Sequence, residues 1–497
     1  MAELNLSKMQ FEFFTTSDEL ALEISQALVS INCCTWCVLR FLGEKRPCMY
    51  VNETVNELRQ LLNAKDDTVE CVICPGCLGI LHKYNTSDFL QEINSVVKKE
   101  DYEFIDYQCS LIVPVCAILR QHSIYLWLQE KHGSVYCKIP EEEISSIKDV
   151  WKWFCGPSLS KQLNSGFKQK SPFEISLIFK YEDSEKECYF LLETNPNEFQ
   201  RRKKSPFDLF TRAAVFKAVT TLPDDIFKKN YQTPCLTPVK TMDCDISCNF
   251  DAIFIAGRYL KFSRTLSQTP WIIDGVRKTK SSVEEEICSA MSIFKATDFK
   301  FSSSGREDVD VRMLGNGRPF IVEILDAHRC HAVNEISTVQ KLINKTSDVV
   351  KVRDLQLITR EDIHNLKEGE LEKSKCYMAL CWSSSTLTPE NIQLINQLKT
   401  IEVQQKTPLR VLHRRSQAVR SRMIYDISIK ETKENYFKLY ISTQAGTYIK
   451  EFVHGDFGRT VPNLSSLLNV DCDILTLDVQ GVELKWPPQL DNDMDTK

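Results

Sequence analysis

The sequence predicts a multidomain α+β protein, and three observations carry that expectation. Its 497 residues exceed what one compact core usually accommodates. Apolar residues make up 43% and charged residues 26%, the balance of a folded globular chain rather than a disordered one. Segments with period-2 alternation are interleaved with segments of helical period along most of the length.

Taken in order, SDELALEISQALVS (17 to 30) spaces Leu, Ile and Ala at helical intervals behind a Ser or Asp cap, which predicts a helix. NCCTWCVLR follows, then a polar stretch over about 51 to 70, then ECVICPGCLGIL, where Pro75 and Gly76 impose a tight turn after Cys74. From about 100 to 250, EISLIFKYE and ECYFLLET read as strands and DLFTRAAVFKAVTTL as a helix. KKNYQTPCLTPVKTMDCDIS, rich in Pro, Thr and Asp, reads as a linker near 228 to 247. Beyond it DAIFIAG, PFIVEIL and YFKLYIST predict strands and SSVEEEICSAMSIF a helix, with no repeat at solenoid period. The tail DNDMDTK predicts disorder.

Charge and hydropathy exclude several classes. A net charge of −5 argues against a uniformly basic nucleic-acid binder, so any such surface must be local. The N-terminus lacks a basic segment followed by an apolar one, so an intracellular protein is expected. The most apolar run, SLIVPVCAIL, is far shorter than the roughly 20 residues of a membrane helix, and Pro114 interrupts it. No membrane span is expected.

Twenty cysteines in a reducing compartment do not form a disulfide framework. Cys34 and Cys37 make one CxxC pair and Cys74 and Cys77 a second, a set suited to a closed tetrahedral Zn²⁺ site of structural type. Cys33 and Cys71 leave the register open, although the Pro-Gly turn favours Cys74 with Cys77; the competing reading is a set of buried core cysteines.

The second half carries the chemistry. GRYLKFSRTLSQTPWI (257 to 272) interleaves Arg258, Lys261 and Arg264 with Tyr259 and Phe262, a composition equally suited to RNA contact and to a solvated strand end. KTPLRVLHRRSQAVRSR brings Arg410, Arg414, Arg415, Arg420 and Arg422 into one run without an acid, which favours a phosphate-binding surface. STQAGTYIKEFVHGDFGRT places Tyr448 and Lys450 at a strand-to-helix junction, where an ammonium can keep a distant carboxylate ionised and a phenol can stack on a base. GREDVDVRMLGNGRP offers Asp308 and Asp310 among arginines, and charge alone does not choose between them. If the segment is a strand, the two side chains share a face, and Asp310 either tunes the site through its charge or pairs with Arg306 or Arg312.

GRED at 305 to 308 resembles the GRTD motif of TruA-type pseudouridine synthases, and GTYIK at 446 to 450 resembles the GTYIR motif of TruB-type enzymes. With the paired CxxC turns and the two basic stretches, most of the chain is similar to pseudouridine synthase family ten, the archaeal and eukaryotic tRNA synthases. The resemblance implies a zinc subdomain over 1–100, a THUMP-like RNA-binding region over 101–247, a catalytic domain of pseudouridine synthase fold over 248–488, a mixed sheet with flanking helices, and a tail over 489–497. It implies isomerisation of T-loop uridines 54 and 55 of tRNA, with other structured RNAs as further partners, by a monomer of nucleus and cytoplasm. Asp308 becomes the nucleophile, Lys450 its cationic partner, Tyr448 and Tyr377 (in KCYMAL) the active-site tyrosines, and Arg306 a further RNA contact. No catalytic cofactor is expected, and the zinc is structural. The alternative from another class is an RNA-binding scaffold that keeps the fold without turnover; an intact GRED with GTYIK favours the enzyme.

Overall fold

The computed structural model describes residues 18–64, 72–137, 139–199, 209–366, 374–413 and 415–490. The predicted tail at 491–497, Cys71 and Arg414 lie outside these. The chain forms two compact units, Met1–Asn249 and Phe250–Lys497. Both combine helices with a sheet, as the α+β reading expects.

In the first unit the predicted helix is present as Asp18–Ser30, and the first CxxC starts the helix Thr35–Phe41, buried along its whole length. The sheet has order β2-β1-β3-β4, with β1 (Asp106–Ile112), β2 (Gly166–Phe167), β3 (Phe173–Lys180) and β4 (Asp243–Phe250). β1 runs parallel to both β2 and β3. After β1 the apolar run turns at Pro114 into the helix Cys116–Tyr136.

Two sequence readings change here. ECYFLLET is not a strand but two short helices, Ser184–Cys188 and Leu191–Thr194. Cys188 and Leu191, both fully buried, are three residues apart, so one helical face points inward and tertiary burial overrides β propensity. The expected linker is also no free tether. The helix Asp224–Asn230 ends within it, its Leu236 carbonyl accepts from Arg120 (2.9 Å), its Gln232 carbonyl accepts from Ser123 (2.8 Å), and Cys235 is buried.

In the second unit one large sheet has order β10-β5-β9-β16-β11-β14-β13-β12-β15, with β8 on β9. Its strands are β5 (Ile253–Lys261), β8 (Asp298–Ser303), β9 (Arg312–Leu325), β10 (Val350–Ile358), β11 (Lys375–Ser383), β12 (Ile401–Lys406), β13 (Val419–Lys433), β14 (Tyr436–Thr443), β15 (Thr460–Val461) and β16 (Cys472–Val482). β6 (Ile272–Ile273) and β7 (Val276–Arg277) form a separate hairpin. Val350, Val352, Ile427, Ile429, Leu439 and Ile441 alternate with more exposed neighbours and face one core together with the helix Ile336–Thr346. β9 and β16 pair in parallel, Arg312 opposite Asp478, in the middle of the sheet. The GRED segment is the loop that feeds β9 at this point.

Candidate active site

The segment 305–311 is a loop rather than a strand. It closes a tight turn in which the Val311 amide donates to the Asp308 carbonyl (3.1 Å). Gly305 sits at φ +85°, a conformation that favours glycine, and an added Cβ would meet the Lys375 ammonium at 2.8 Å and an Arg318 Nη1 at 3.1 Å, displacing these cations. The loop lines a cavity of about 180 Å³ with Tyr377 of β11, Arg410, Tyr448 and Lys450.

Inside the loop, consecutive carboxylates point in opposite directions. Glu307 is buried. It accepts from Arg318 Nε (2.8 Å) and from the Tyr259 hydroxyl (2.9 Å), which itself accepts from Gln268 (2.8 Å). Asp308 opens to the cavity, where its Oδ2 accepts from Arg410 Nη1 at 2.8 Å and lies 3.8 Å from the Lys450 ammonium. Lys450 approaches Asp310 more closely, at 2.6 Å. Burial acts to raise the Asp310 pKa, but the hydrogen bond and charge of Lys450 outweigh it and hold that carboxyl below its ordinary value. Asp310 is therefore paired with neither Arg306 nor Arg312; Arg312 makes a bidentate pair with the buried Asp478 (2.8 and 2.6 Å).

Arg410 is itself steered. Its Nε donates to the buried Glu451 (2.7 Å), one residue beyond Lys450, so a single guanidinium bridges Glu451 and Asp308. Tyr448 is fixed through its backbone. The Gln405 side chain accepts from the Tyr448 amide and donates to the Tyr448 carbonyl, both at 2.9 Å, and Arg415 reaches the Tyr448 hydroxyl at 3.4 Å. Burial pushes the Tyr377 phenol up to about 12, so it keeps its proton at neutral pH. The predicted helix after Tyr448 is present as Ile449–His454 and ends at Gly455.

Two basic residues expected to contact RNA lie inside the protein. Lys261, fully buried, donates to the carbonyls of Leu266 (2.9 Å), Asp308 (3.1 Å) and Val309 (3.1 Å), and burial lowers its pKa to about 8. Arg258 donates to the carbonyls of Gly317, Leu484 and Trp486 and is buried. Neither has a surface to offer a phosphate. Arg264 reaches the carbonyls of Asp310 (2.9 Å) and Leu477 (2.8 Å) and the Asp478 carboxylate, so with Lys261 it braces the acidic loop from behind. Arg410 moves from the RNA surface into the cavity. Arg306 and Arg415 stay exposed, and Arg420 (to the Thr407 hydroxyl, 3.0 Å) and Arg422 (to the Ser421 carbonyl, 2.9 Å) have no carboxylate partner among the described residues.

Sequence reading missed Arg410 as the partner of the aspartate, Glu451 as the group that steers Arg410, and the Glu307–Arg318–Tyr259–Gln268 network. Glu451 had one signal: it stands next to Lys450, yet a helix turns adjacent residues about 100° apart. Nothing local linked Arg318 to Glu307.

In the first unit the Sγ atoms of Cys34, Cys37, Cys74 and Cys77 lie within 4.8 Å of one another and all four residues are buried, so they could hold a metal ion. Cys34 and Cys77 Sγ are 3.7 Å apart, close to the about 3.8 Å that tetrahedral bonds of about 2.3 Å would set. The buried Arg40 guanidinium lies 3.4 Å from Cys37 Sγ and has no carboxylate partner among the described residues.

Two family models divide the chain: "Pus10, C-terminal" matches residues 254–483 and "Eukaryotic Pus10, N-terminal" matches 71–248. The tRNA pseudouridine synthase Pus10 of Homo sapiens is 44% identical over 423 residues, covering 84% of this chain and 80% of the human one. This chain belongs to the Pus10 family. The Pus10 of Mus musculus is 40% identical over 518 residues, covering 94% of this chain and 98% of its own. That of Pyrococcus furiosus is 37% identical over 244 residues, covering 48% and 60%. The Pus10 C-terminal match thus contains the whole cavity, from Arg306 to Val479, and the N-terminal match contains Cys74 and Cys77 but begins after Cys34 and Cys37. Among the described residues, no helix is long and apolar enough to cross a membrane.

Proposed function

We propose that this Pus10-family protein isomerises uridine to pseudouridine in the T loop of tRNA, at positions 54 and 55, with Asp308 as nucleophile and no external cofactor. The observation that carries the reading is one carboxylate, Asp308, opening into a cavity between Arg410 and Lys450 while its neighbour Glu307 is sealed away. Two cations within 4 Å hold the Asp308 carboxylate in place at the cavity. A cavity of this size accepts a single base only after it leaves its stack, so the target uridine is flipped.

In the reaction the N1–C1′ bond breaks, the uracil turns, and a C5–C1′ bond forms; the proton lost from C5 is balanced by the one gained at N1, so nothing is consumed. Asp308 carries the nucleophilic step. Arg410 and Lys450 stabilise its charge, and Arg410 is held in line by Glu451. Tyr377, protonated at neutral pH, packs against the base and donates a hydrogen bond, and Tyr448, clamped by Gln405, closes the other side. Arg306, Arg415, Arg420 and Arg422 meet the RNA backbone. The region 101–247 of the first unit adds a THUMP-like RNA contact, and the four thiolates hold a structural Zn²⁺ whose closed ligand set leaves no position for substrate.

The test is site mapping of pseudouridine on a tRNA transcript. Wild type converts T-loop uridine, Asp308→Ala does not, and binding to tRNA survives the substitution. Conversion by Asp308→Ala removes the assigned nucleophile, and its absence in wild type removes the enzyme reading altogether. Elemental analysis expects about one zinc per chain, lost in a Cys34→Ser, Cys74→Ser double variant.

A further inference from the structure

The segment HGDFGRT follows the active-site helix and has no part in the chemistry assigned above. Its turn, 455–459, is unusual in two respects. Gly455, Asp456, Phe457 and Gly458 all have positive φ (80°, 46°, 55° and 78°), and the Phe457 side chain is 94% exposed. A bulky aromatic residue in the left-handed region costs on the order of 1 kcal/mol, and exposing its ring forgoes burial as well. Neither feature benefits the fold.

The turn is nevertheless held firmly. Asp456 donates its amide to His454 Nδ1 (3.1 Å), and its carboxylate accepts from the Leu409 amide (3.3 Å), the residue before Arg410. The Lys406 amide donates to the Arg459 carbonyl (2.9 Å), and Arg459 Nη2 donates to the Thr407 carbonyl (2.7 Å). A Cβ on Gly455 would meet the Asn463 side chain at 2.8 Å, which fixes the turn from the other side. An exposed ring is thus anchored rigidly to the same 406–410 segment that delivers Arg410 to Asp308.

The surroundings are cationic. Lys406 is exposed and has no side-chain partner among the described residues, and Arg415 and Arg420 are bound only to hydroxyls. An exposed aromatic face on a turn tied to the Lys406 backbone, with Arg415 and Arg420 carried by the adjoining segment, suits an unstacked base and its phosphates rather than an acidic or apolar protein segment alone. The helix Ile449–His454 separates Lys450 from the start of the turn by about 6 Å of rise, so the base concerned belongs to a nucleotide beside the target.

We propose that Phe457 is a stacking platform for an unpaired nucleobase flanking the target uridine, with Lys406, Arg415 and Arg420 holding the adjoining phosphates. This rests on the RNA-modifying reading above. Phe457 is a positioning residue: it sets where the RNA enters, and Asp308 acts on what it presents.

The test measures affinity and steady-state kinetics of the full-length protein on a tRNA transcript and on transcripts carrying one abasic nucleotide beside the target. Phe457→Ala is expected to weaken Kd by about 5- to 150-fold, with the loss in KM rather than kcat, while Phe457→Trp stays near wild type. One abasic transcript should cost wild type a similar factor and Phe457→Ala almost nothing further. Phe457→Gly should lose the same affinity with an undiminished Tm, because glycine suits the backbone. Wild-type affinity in Phe457→Ala, losses that multiply with every abasic site, or altered self-association with unchanged RNA binding overturns the proposal. Failure of wild type to bind or convert the intact transcript instead condemns the RNA-modifying reading itself.

Discussion

Glu307 and Asp308 are neighbours with the same functional group, and the fold uses them in opposite ways. Glu307 faces Arg318 and Tyr259 with almost no exposure to water, its side chain 1% exposed and that of Arg318 2%. Asp308 faces Arg410 where both side chains are more than a third exposed, 36% and 38%. In the closed pair each charge depends on the other, because an isolated buried ion costs several kcal/mol. In the open pair, solvent weakens the attraction and a substrate can enter between the partners. The first pair fixes the loop and the second is free to react.

That contrast can be broken most sharply at Asp308. Asp308→Asn should lower turnover by at least about 10³-fold yet shift unfolding by less than about 1 kcal/mol, read by pseudouridine mapping and denaturant titration. Glu307→Gln should do the reverse, costing about 3–5 kcal/mol of stability because Arg318 is left buried without its counter-ion. If the two variants behave alike, closed and open pairs are not distinct.

The open side can be sharpened by comparing its cations. Arg410→Ala should cost more turnover than Lys450→Ala, about 100-fold against about 10-fold, since Arg410 stands at 2.8 Å from Asp308 and Lys450 at 3.8 Å. Equal losses would mean that charge, not contact, is what Asp308 needs. The smallest effect belongs to Asp310. Its folded pKa lies below the ordinary 3.8, so its pairing stabilises the protein above that value and is lost as pH falls through the lower folded value. The stability gap between wild type and Asp310→Asn should stay below about 1 kcal/mol at neutral pH and close on acidification below pH 3.8.

How much of this was readable in the residues follows from how far apart the interacting parts lie. The four cysteines announce themselves because each pair is local, its members three residues apart. β14 shows its alternation, β5 and β9 show as short apolar runs, and Asp308, Tyr448 and Lys450 were reached through short motifs. The helical turns at 184–194 were misread because β-favouring Tyr, Phe and Leu hide a helical spacing at Cys188 and Leu191. Lys261 and Arg258 misled for a different reason. A cation in a polar sequence looks exposed, yet these two are drawn inward by backbone carbonyls of Asp308, Val309 and Gly317, acceptors that no pattern of side chains reveals. Arg410 pairs with Asp308 across 102 positions, a match that only the sheet order creates.

One clamp has a consequence for how such an enzyme can diversify. Gln405 fastens the Tyr448 backbone, and two residues later the cationic loop is tied off at its base: the Thr407 amide meets the Ala418 carbonyl at 3.0 Å and the Thr407 hydroxyl meets the Ser416 carbonyl at 2.8 Å. The reacting residues and the outer part of that loop are thereby insulated from each other, apart from Arg410 and Arg415. Residues can be exchanged or inserted between the tie and the tip while the clamp keeps Tyr448 in register, so new RNA preferences are open to drift without rebuilding the chemistry beneath them.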